Sequence, residues 1–266
     1  MSSSDAGADW RSAFDEFAGR RVLVTGASSG IGAAVARAFA ECGARVCFHY
    51  GRHEAAAAGV VAELRARGLA AVTVGADLAR EGAAADMVSR AADALGGLDV
   101  LINVAGSPLG RAGIDAIGDD ACAAILQVNL RAVVESIRAA LPLLRRAANA
   151  AIITTSSVAV RTGGGRGVAL YAAAKAGVES LTRSLARELA ADGVRVNCVA
   201  PGYIATPIHD AFSSDEDRAN YVAATPMQRA GTAGECVGAY LFLASHRLSS
   251  FVTGQTIPVN GGLAFG

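Results

Sequence analysis

The chain has 266 residues, 52% of them hydrophobic and 18% charged, which excludes a disordered segment and leaves ample apolar material for a core. Its 24 basic and 24 acidic residues cancel, so the charge gives no reason to seek nucleic acid or an anionic membrane. No stretch approaches the roughly 18 apolar residues of a membrane span, and the first residues lack the apolar run of a signal peptide, so a cytoplasmic protein is expected.

Residues 1–18 read as a flexible tail, and 19–266 as one domain. From Arg20 the sequence alternates short β-branched runs with longer Ala-rich helical stretches. The spacing predicts strands over 20–25, 44–50, 70–77, 98–106, 150–157, 194–202 and 255–260. Between them it predicts helices over 31–42, 53–68, 80–96, 119–147, 171–192 and 233–245, with Pro142 near the end of the longest. The strands are apolar almost throughout, as strands buried on both faces should be. Such alternation implies βαβ units and a doubly wound parallel sheet of the Rossmann type, an α/β fold. Ligands of these sheets sit at the carboxyl ends of the strands, at the topological switch point.

The first strand runs into Thr25-Gly26-Ala27-Ser28-Ser29-Gly30-Ile31-Gly32 and then a helix. Gly26, Gly30 and Gly32 allow a pyrophosphate close approach, and helix N-terminal amides would point at it. The spacing differs from the common dinucleotide fingerprint, so the strand–turn–helix context carries the reading. No Asp or Glu ends the second strand to bind a ribose 2′-hydroxyl; Arg52 follows instead and could pair with a 2′-phosphate. This favours NADP(H) over NAD(H); the alternative for Arg52 is a solvated surface residue. Asp77 and Leu78 follow the third strand; the Asp77 carboxylate either accepts from the adenine amino group or caps the next helix.

Tyr171 and Lys175 lie four apart, which puts both on one helix face with small alanines between them. A free tyrosine titrates near about 10, and an adjacent ammonium would lower that value enough for acid–base work. Ser157 ends the fifth strand, where its hydroxyl could hold a substrate oxygen; its neighbour Ser156 is the rival. Asn129 is a polar residue in an apolar helical run and could serve a proton path by way of Lys175 or be a hydrogen-bonded core residue. No metal site is expected: Cys42, Cys47, Cys122, Cys198 and Cys236 are scattered, and the four histidines form no ligand pattern.

Taken in order, these segments resemble the short-chain dehydrogenase/reductase family over about residues 19–263. Thr25 to Gly32 is similar to its cofactor turn, and Asn103-Val104-Ala105-Gly106 to its N-N-A-G segment with Val in one Asn position. Asn129, Ser157, Tyr171 and Lys175 match its catalytic tetrad; Arg195-Val196-Asn197, Pro201-Gly202 and Thr206 match its nicotinamide-side segment. The resemblance implies that Tyr171 exchanges the proton, Ser157 polarises the carbonyl, and Lys175 binds the nicotinamide ribose and acidifies Tyr171. It further implies that Asn129 supports the relay, that Thr206 and the Ile204 backbone hold the carboxamide, and that Asn103 supports the adenosine side. Ser157 precedes Tyr171 by 14 positions, one more than many members show; the Gly-rich loop between them could absorb the extra residue.

The expected activity is hydride transfer between NADP(H) and a small-molecule carbonyl or secondary alcohol, with a substrate lid over about 203–232. The general look is that of 3-oxoacyl-carrier-protein reductases and of sugar or polyol dehydrogenases. A carrier protein as partner is disfavoured, because Asp192 stands where the docking cation is wanted, although Arg145 and Arg146 partly fit the other position. The Ala-rich faces of the two long helices suit a homotetramer. A regulatory cofactor-binding relative without turnover, and an epimerase or dehydratase on the same fold, are the alternatives.

Overall fold

The structure, a computed structural model, describes residues 10–265, with the side chains of Trp10 and His209 excepted. Seven parallel strands form one sheet in the order β3-β2-β1-β4-β5-β6-β7. They are β1 Arg21–Thr25, β2 Arg45–Tyr50, β3 Ala71–Gly75, β4 Val100–Asn103, β5 Ala151–Thr155, β6 Arg195–Pro201 and β7 Thr256–Val259. The connecting helices are α1 Gly30–Glu41, α2 Glu54–Ala66, α3 Ala83–Leu95, α4 Asp119–Leu126 and α5 Ala132–Leu144. They continue with α6 Ala159–Thr162, α7 Ala169–Leu189, α8 Pro207–Phe212, α9 Asp215–Ala224, α10 Ala233–Ala244 and α11 His246–Ser249.

Side-chain alternation along the strands divides the core in two. Val22 and Val24 of β1 face one side with Val46, Phe48, Val100, Ile102 and Ile153, packed under α1, α2 and α10. Leu23, Cys47, Leu101 and Ile152 face the other, under α3, α5 and α7. Register keeps each set together, since Val22 pairs with Val46 and Val100, and Leu23 with Cys47 and Leu101. Strand order reverses between β1 and β4, so their carboxyl ends part there and open a crevice.

The predicted tail is corrected from residue 10 onward. Trp10–Phe17 form two short 3-10 turns across a kink at Phe14, and the Phe14 and Phe17 rings stack with centroids 6.0 Å apart. Phe17 is buried and packs on Phe39, ring centroids 4.8 Å apart. The carboxylate of Glu16 then accepts from the His246 and Arg247 amides at the start of α11. Residues 1–9 of the expected tail lie outside the described residues.

The expected single helix over 119–147 is α4 and α5 joined by a π-helical turn, Gln127–Arg131. Pro142 sits inside α5 without ending it. The predicted start of the helix at 80 moves to Ala83, where Gly82 in the left-handed region opens α3.

Candidate active site

The floor of the crevice is built by backbone donors closing on side chains. Thr25 Oγ1 accepts from the amides of Val104 and Ala105, each at 3.0 Å, which ties the end of β1 to the exit of β4. Val104 otherwise packs against the apolar core. The glycine turn from Gly26 to Gly32 lies against this exit. A Cβ on Gly32 would stand 2.2 Å from the Gly26 carbonyl oxygen, so the turn closes this tightly only with glycine there. A Cβ on Gly26 would stand 2.9 Å from Ala105 Cα, and one on Gly30 3.2 Å from Thr206 Cγ2. Those two approaches bring the turn, the β4 exit and the segment after β6 to one place.

Ser29 precedes α1 in extended backbone without a side-chain capping bond, so the first-turn amides face the crevice uncapped by it. Ser28 is half-buried within the turn, and Ile31 packs on the core below. Asn103 is buried at the end of β4; its Oδ1 accepts from Ser136 Oγ at 2.9 Å, and its Nδ2 has no hydrogen-bond partner. On the other rim Pro201 ends β6, and the Gly202 amide donates to the Val259 carbonyl at 2.9 Å. Ile204 is buried, and Thr206 Oγ1 donates back to the Ile204 carbonyl.

The tetrad residues converge on the carboxyl ends of β4 and β5. Tyr171 and Lys175 share a face of α7, and the Ser157 hydroxyl stands near enough to the Tyr171 phenol to draw its pKa down, despite the longer loop between them. Ser156, the rival serine, is turned inward and donates to Glu179 Oε1 at 2.8 Å. A Cβ on Gly106 would stand 2.8 Å from both Asn129 Oδ1 and Lys175 Nζ, so both groups press on the same glycine.

Asn129 sits on the π turn, which widens the helix and frees the Ile125 carbonyl. Asn129 Nδ2 donates to that carbonyl at 2.8 Å and to the Ser107 carbonyl at 2.7 Å, while Oδ1 accepts from the Ser107 amide at 3.0 Å. The residue thus anchors the chain after β4 to the long helix.

The electrostatics differ from the sequence expectation. Lys175 Nζ donates to the Thr155 carbonyl at 2.9 Å and lies 5.7 Å from the Tyr171 ring centroid. Burial pulls Lys175 down to about 8. Burial also raises Tyr171 above the ordinary tyrosine value, and the neighbouring Ser157 hydroxyl opposes the rise. Acidification of the phenol by Lys175 is therefore not what this geometry produces: desolvation acts on both groups, pushing each toward its neutral form.

Two expected cofactor contacts stand at the periphery. Arg52 is exposed in the bend after β2. Asp77 is exposed beyond β3 and accepts from the Ala79 amide at 3.1 Å, so it shapes its own turn; the capping role for the following helix falls to Gly82. Leu78 is buried in the core.

His49 escaped the sequence reading except as a discounted metal ligand. It is buried, its Nδ1 accepts from the Gly26 amide at 3.0 Å, and its Nε2 lies 3.0 Å from the Ala76 carbonyl. Donating to that carbonyl puts the proton on Nε2, and burial lowers the pKa and favours this neutral form. A lone polar residue at the end of an apolar strand was the available signal. Arg111 was also missed: its guanidinium reaches Asp217 at 2.7 Å and the Tyr221 hydroxyl at 2.5 Å, linking the loop after β4 to α9. Among the described residues no three His, Cys, Asp or Glu side chains group to hold a metal ion. Burial raises Cys47 and Cys236 to about 12 and Cys198 to about 11, leaving these thiols protonated.

The family described as Enoyl-(Acyl carrier protein) reductase matches residues 26–264. The 3-oxoacyl-[acyl-carrier-protein] reductase FabG of Staphylococcus aureus is 38% identical over 244 residues, covering 92% of this chain and 98% of the relative. Among solved structures, the NADH-dependent reductase A1-R′ responsible for alginate metabolism superposes with a TM-score of 0.87 at 34% identity, covering 95% of this chain and all of that one. A short chain dehydrogenase from Burkholderia cenocepacia in complex with NADP gives a TM-score of 0.86 at 34% identity, covering 93% and 98%. With the crevice at the β1/β4 switch point and this likeness along nearly the whole chain, the protein belongs to the short-chain dehydrogenase/reductase family and is an oxidoreductase of it.

Proposed function

We propose that the protein transfers a hydride between NADP(H) and a free carbonyl compound or secondary alcohol, with Tyr171 as the acid–base group. The convergence of Ser157 and Tyr171 at the carboxyl end of β5, one helical turn from Lys175, carries this reading. The glycine cradle and the uncapped start of α1 fit a dinucleotide pyrophosphate. In that fit Gly26, Ser28, Gly30, Ile31 and Gly32 hold the phosphates, Leu78, Asn103, Ala105 and Gly106 line the adenosine side, and Asp77 receives the adenine amino group. Pro201, Gly202, Ile204 and Thr206 take the nicotinamide side, and Lys175 the ribose. When bound, the nicotinamide supplies or accepts the hydride.

Ser157 positions the substrate oxygen and Tyr171 exchanges its proton. Burial raises the Tyr171 phenol and the Ser157 hydroxyl opposes that rise, so these two neighbours set its readiness for proton exchange. Asn129 steadies the loop after β4 against Lys175. The preference for NADP(H) rests on Arg52 and on the absence of an acidic residue at the end of β2. Relatives bound to NADP and one named NADH-dependent both occur, so the cofactor choice belongs to this chain's own residues. A free substrate is preferred to a carrier-bound one because Arg145 is already paired with Asp192 at 2.7 Å, which cancels the basic dock. Helices α8 and α9 serve as the lid, and the active form is a homotetramer.

The test is a panel of ketones, 3-oxoacyl thioesters and polyols with NADPH and NADH, followed at the nicotinamide absorbance. Tyr171→Phe is expected to lower kcat by about 10²–10⁴-fold with cofactor affinity retained. Undiminished turnover in that variant removes Tyr171 from the chemistry. Arg52→Ala is expected to weaken NADPH by about 10- to 100-fold and NADH little; equal losses would overturn the cofactor choice.

A further inference from the structure

The buried run of β2, Val46-Cys47-Phe48-His49, ends on an imidazole that the roles proposed above leave unused. A neutral imidazole accepts on one ring nitrogen and donates on the other, and the two point apart, so one ring can join two chain segments. Here Nδ1 accepts from the Gly26 amide at 3.0 Å, and Nε2 faces the Ala76 carbonyl at 3.0 Å. The backbone adds to this. The His49 carbonyl accepts from the Ala27 amide at 2.8 Å, and the Ala76 amide donates to the Tyr50 carbonyl at 3.0 Å. The exits of β1, β2 and β3 are thereby tied into one unit.

Two consecutive amides of the glycine turn, those of Gly26 and Ala27, both end on His49. Gly26 lies in the left-handed region at φ 67°. A glycine has many other conformations open to it, so the shape of such a turn has to be fixed by its neighbours. Burial lowers the pKa of the ring, and the Arg90 charge acts in the same direction. The ring thus keeps the Nδ1 lone pair that the Gly26 amide needs.

We infer that His49 is the positioning residue of the cofactor turn: its ring holds residues 26–32 in the shape that receives a dinucleotide pyrophosphate before the nucleotide arrives. His49 acts through the Gly26 amide and touches no reacting atom. A turn that holds the receptive shape only part of the time binds more weakly in proportion to that fraction. The pyrophosphate is common to NADPH and NADH, so the effect is the same for both, unlike that of Arg52. This rests on the dinucleotide reading above, and the experiment separates the two.

Full-length protein is titrated with NADPH and with NADH, followed by nicotinamide fluorescence, and its stability is read by urea unfolding. His49→Phe keeps a ring in the buried position and removes both ring bonds. It is expected to weaken both nucleotides by one common factor, about 3- to 30-fold. His49→Asn puts Oδ1 where Nδ1 stood, which keeps the Gly26 bond and gives up the one to Ala76. It is expected to regain most of the affinity while remaining less stable than the wild type, a split that a merely structural role would not produce. If the phenylalanine variant does not fold, His49→Leu, close in size to asparagine, makes the same comparison without an acceptor. Affinity unchanged in His49→Phe or His49→Leu, a loss confined to NADPH, or a loss that asparagine does not restore overturns the role of His49 and leaves the dinucleotide reading standing. A wild type that binds neither nucleotide overturns both.

Discussion

Lys175 is a cation with 2% of its surface exposed, held by a single carbonyl oxygen from Thr155. Desolvation lowers its pKa from 10.5 to about 8, so folding works against the charged form. An ammonium with a depressed folded pKa costs stability wherever it is charged in both states. The cost is full below about pH 8, and it fades as pH rises toward 10.5, where the unfolded chain also loses its proton. Lys175→Met is therefore expected to raise the unfolding free energy at pH 7 by about 1–3 kcal/mol, the shift reduced by the lost Thr155 bond. The gain should vanish near pH 10.5, as read by urea unfolding at both pH values. A loss of stability at pH 7 would show that the residue is kept for structure rather than against it. At this scale the sequence was legible where spacing dictates direction. Tyr171 and Lys175 share a helix face at four residues apart, and strand alternation turns Ser156 inward while Ser157 meets the phenol. It was illegible where a role comes from a distant partner, as for His49 bridging Gly26 and Ala76 across two strands.

Between elements, a side-chain clasp links the loop after β4 to α9. Arg111 holds Asp217 and Tyr221 of α9, the Tyr221 ring lies 5.3 Å from that of Tyr203, and the Ala112 amide donates to the Gly167 carbonyl before α7. Three segments around the mouth are joined this way. The Arg111 and Asp217 side chains are 22% and 36% exposed, so water screens the ion pair and its worth is about 1 kcal/mol or less. Arg111→Ala is expected to raise substrate KM about two- to fivefold and to speed proteolysis within residues 207–224. Arg111→Lys should not restore either, because one ammonium cannot fork to both partners. Unchanged protease resistance would remove the clasp from lid closure. The long helices and the strands could be predicted because periodicity over many residues averages out local exceptions. The short helices α6, α8, α9 and α11 could not, since four to ten residues carry too few periods and their stability comes from caps such as Ser214 with Asp217. The π turn left no pattern in the sequence beyond one polar residue, Asn129, among apolar neighbours.

Across the whole molecule, the sheet ends differ in how they are finished. At one end β3 carries Thr73 outward and Arg65 Nε donates to the Ala71 carbonyl at 2.7 Å, which occupies part of the free edge. At the other end β7 pairs with β6 alone. In the segments before and after it, Phe251 is 103% exposed and Phe265 85% exposed, while Thr256 Oγ1 is buried without a partner. An edge strand flanked by open aromatics invites pairing with another chain. The homotetramer proposed above would cover this end, and each phenylalanine buried there would contribute about 1.5–3 kcal/mol. Light scattering on the purified protein is expected to give an assembly of several chains. Phe251→Asp combined with Phe265→Ser should weaken that assembly by about 100-fold or more, because both aromatic contributions are lost at each contact. Neither residue belongs to the two internal clusters, so the dissociated chains should still unfold cooperatively. A wild-type protein that scatters as a single chain at micromolar concentration would mean that the β7 end tolerates exposure on its own.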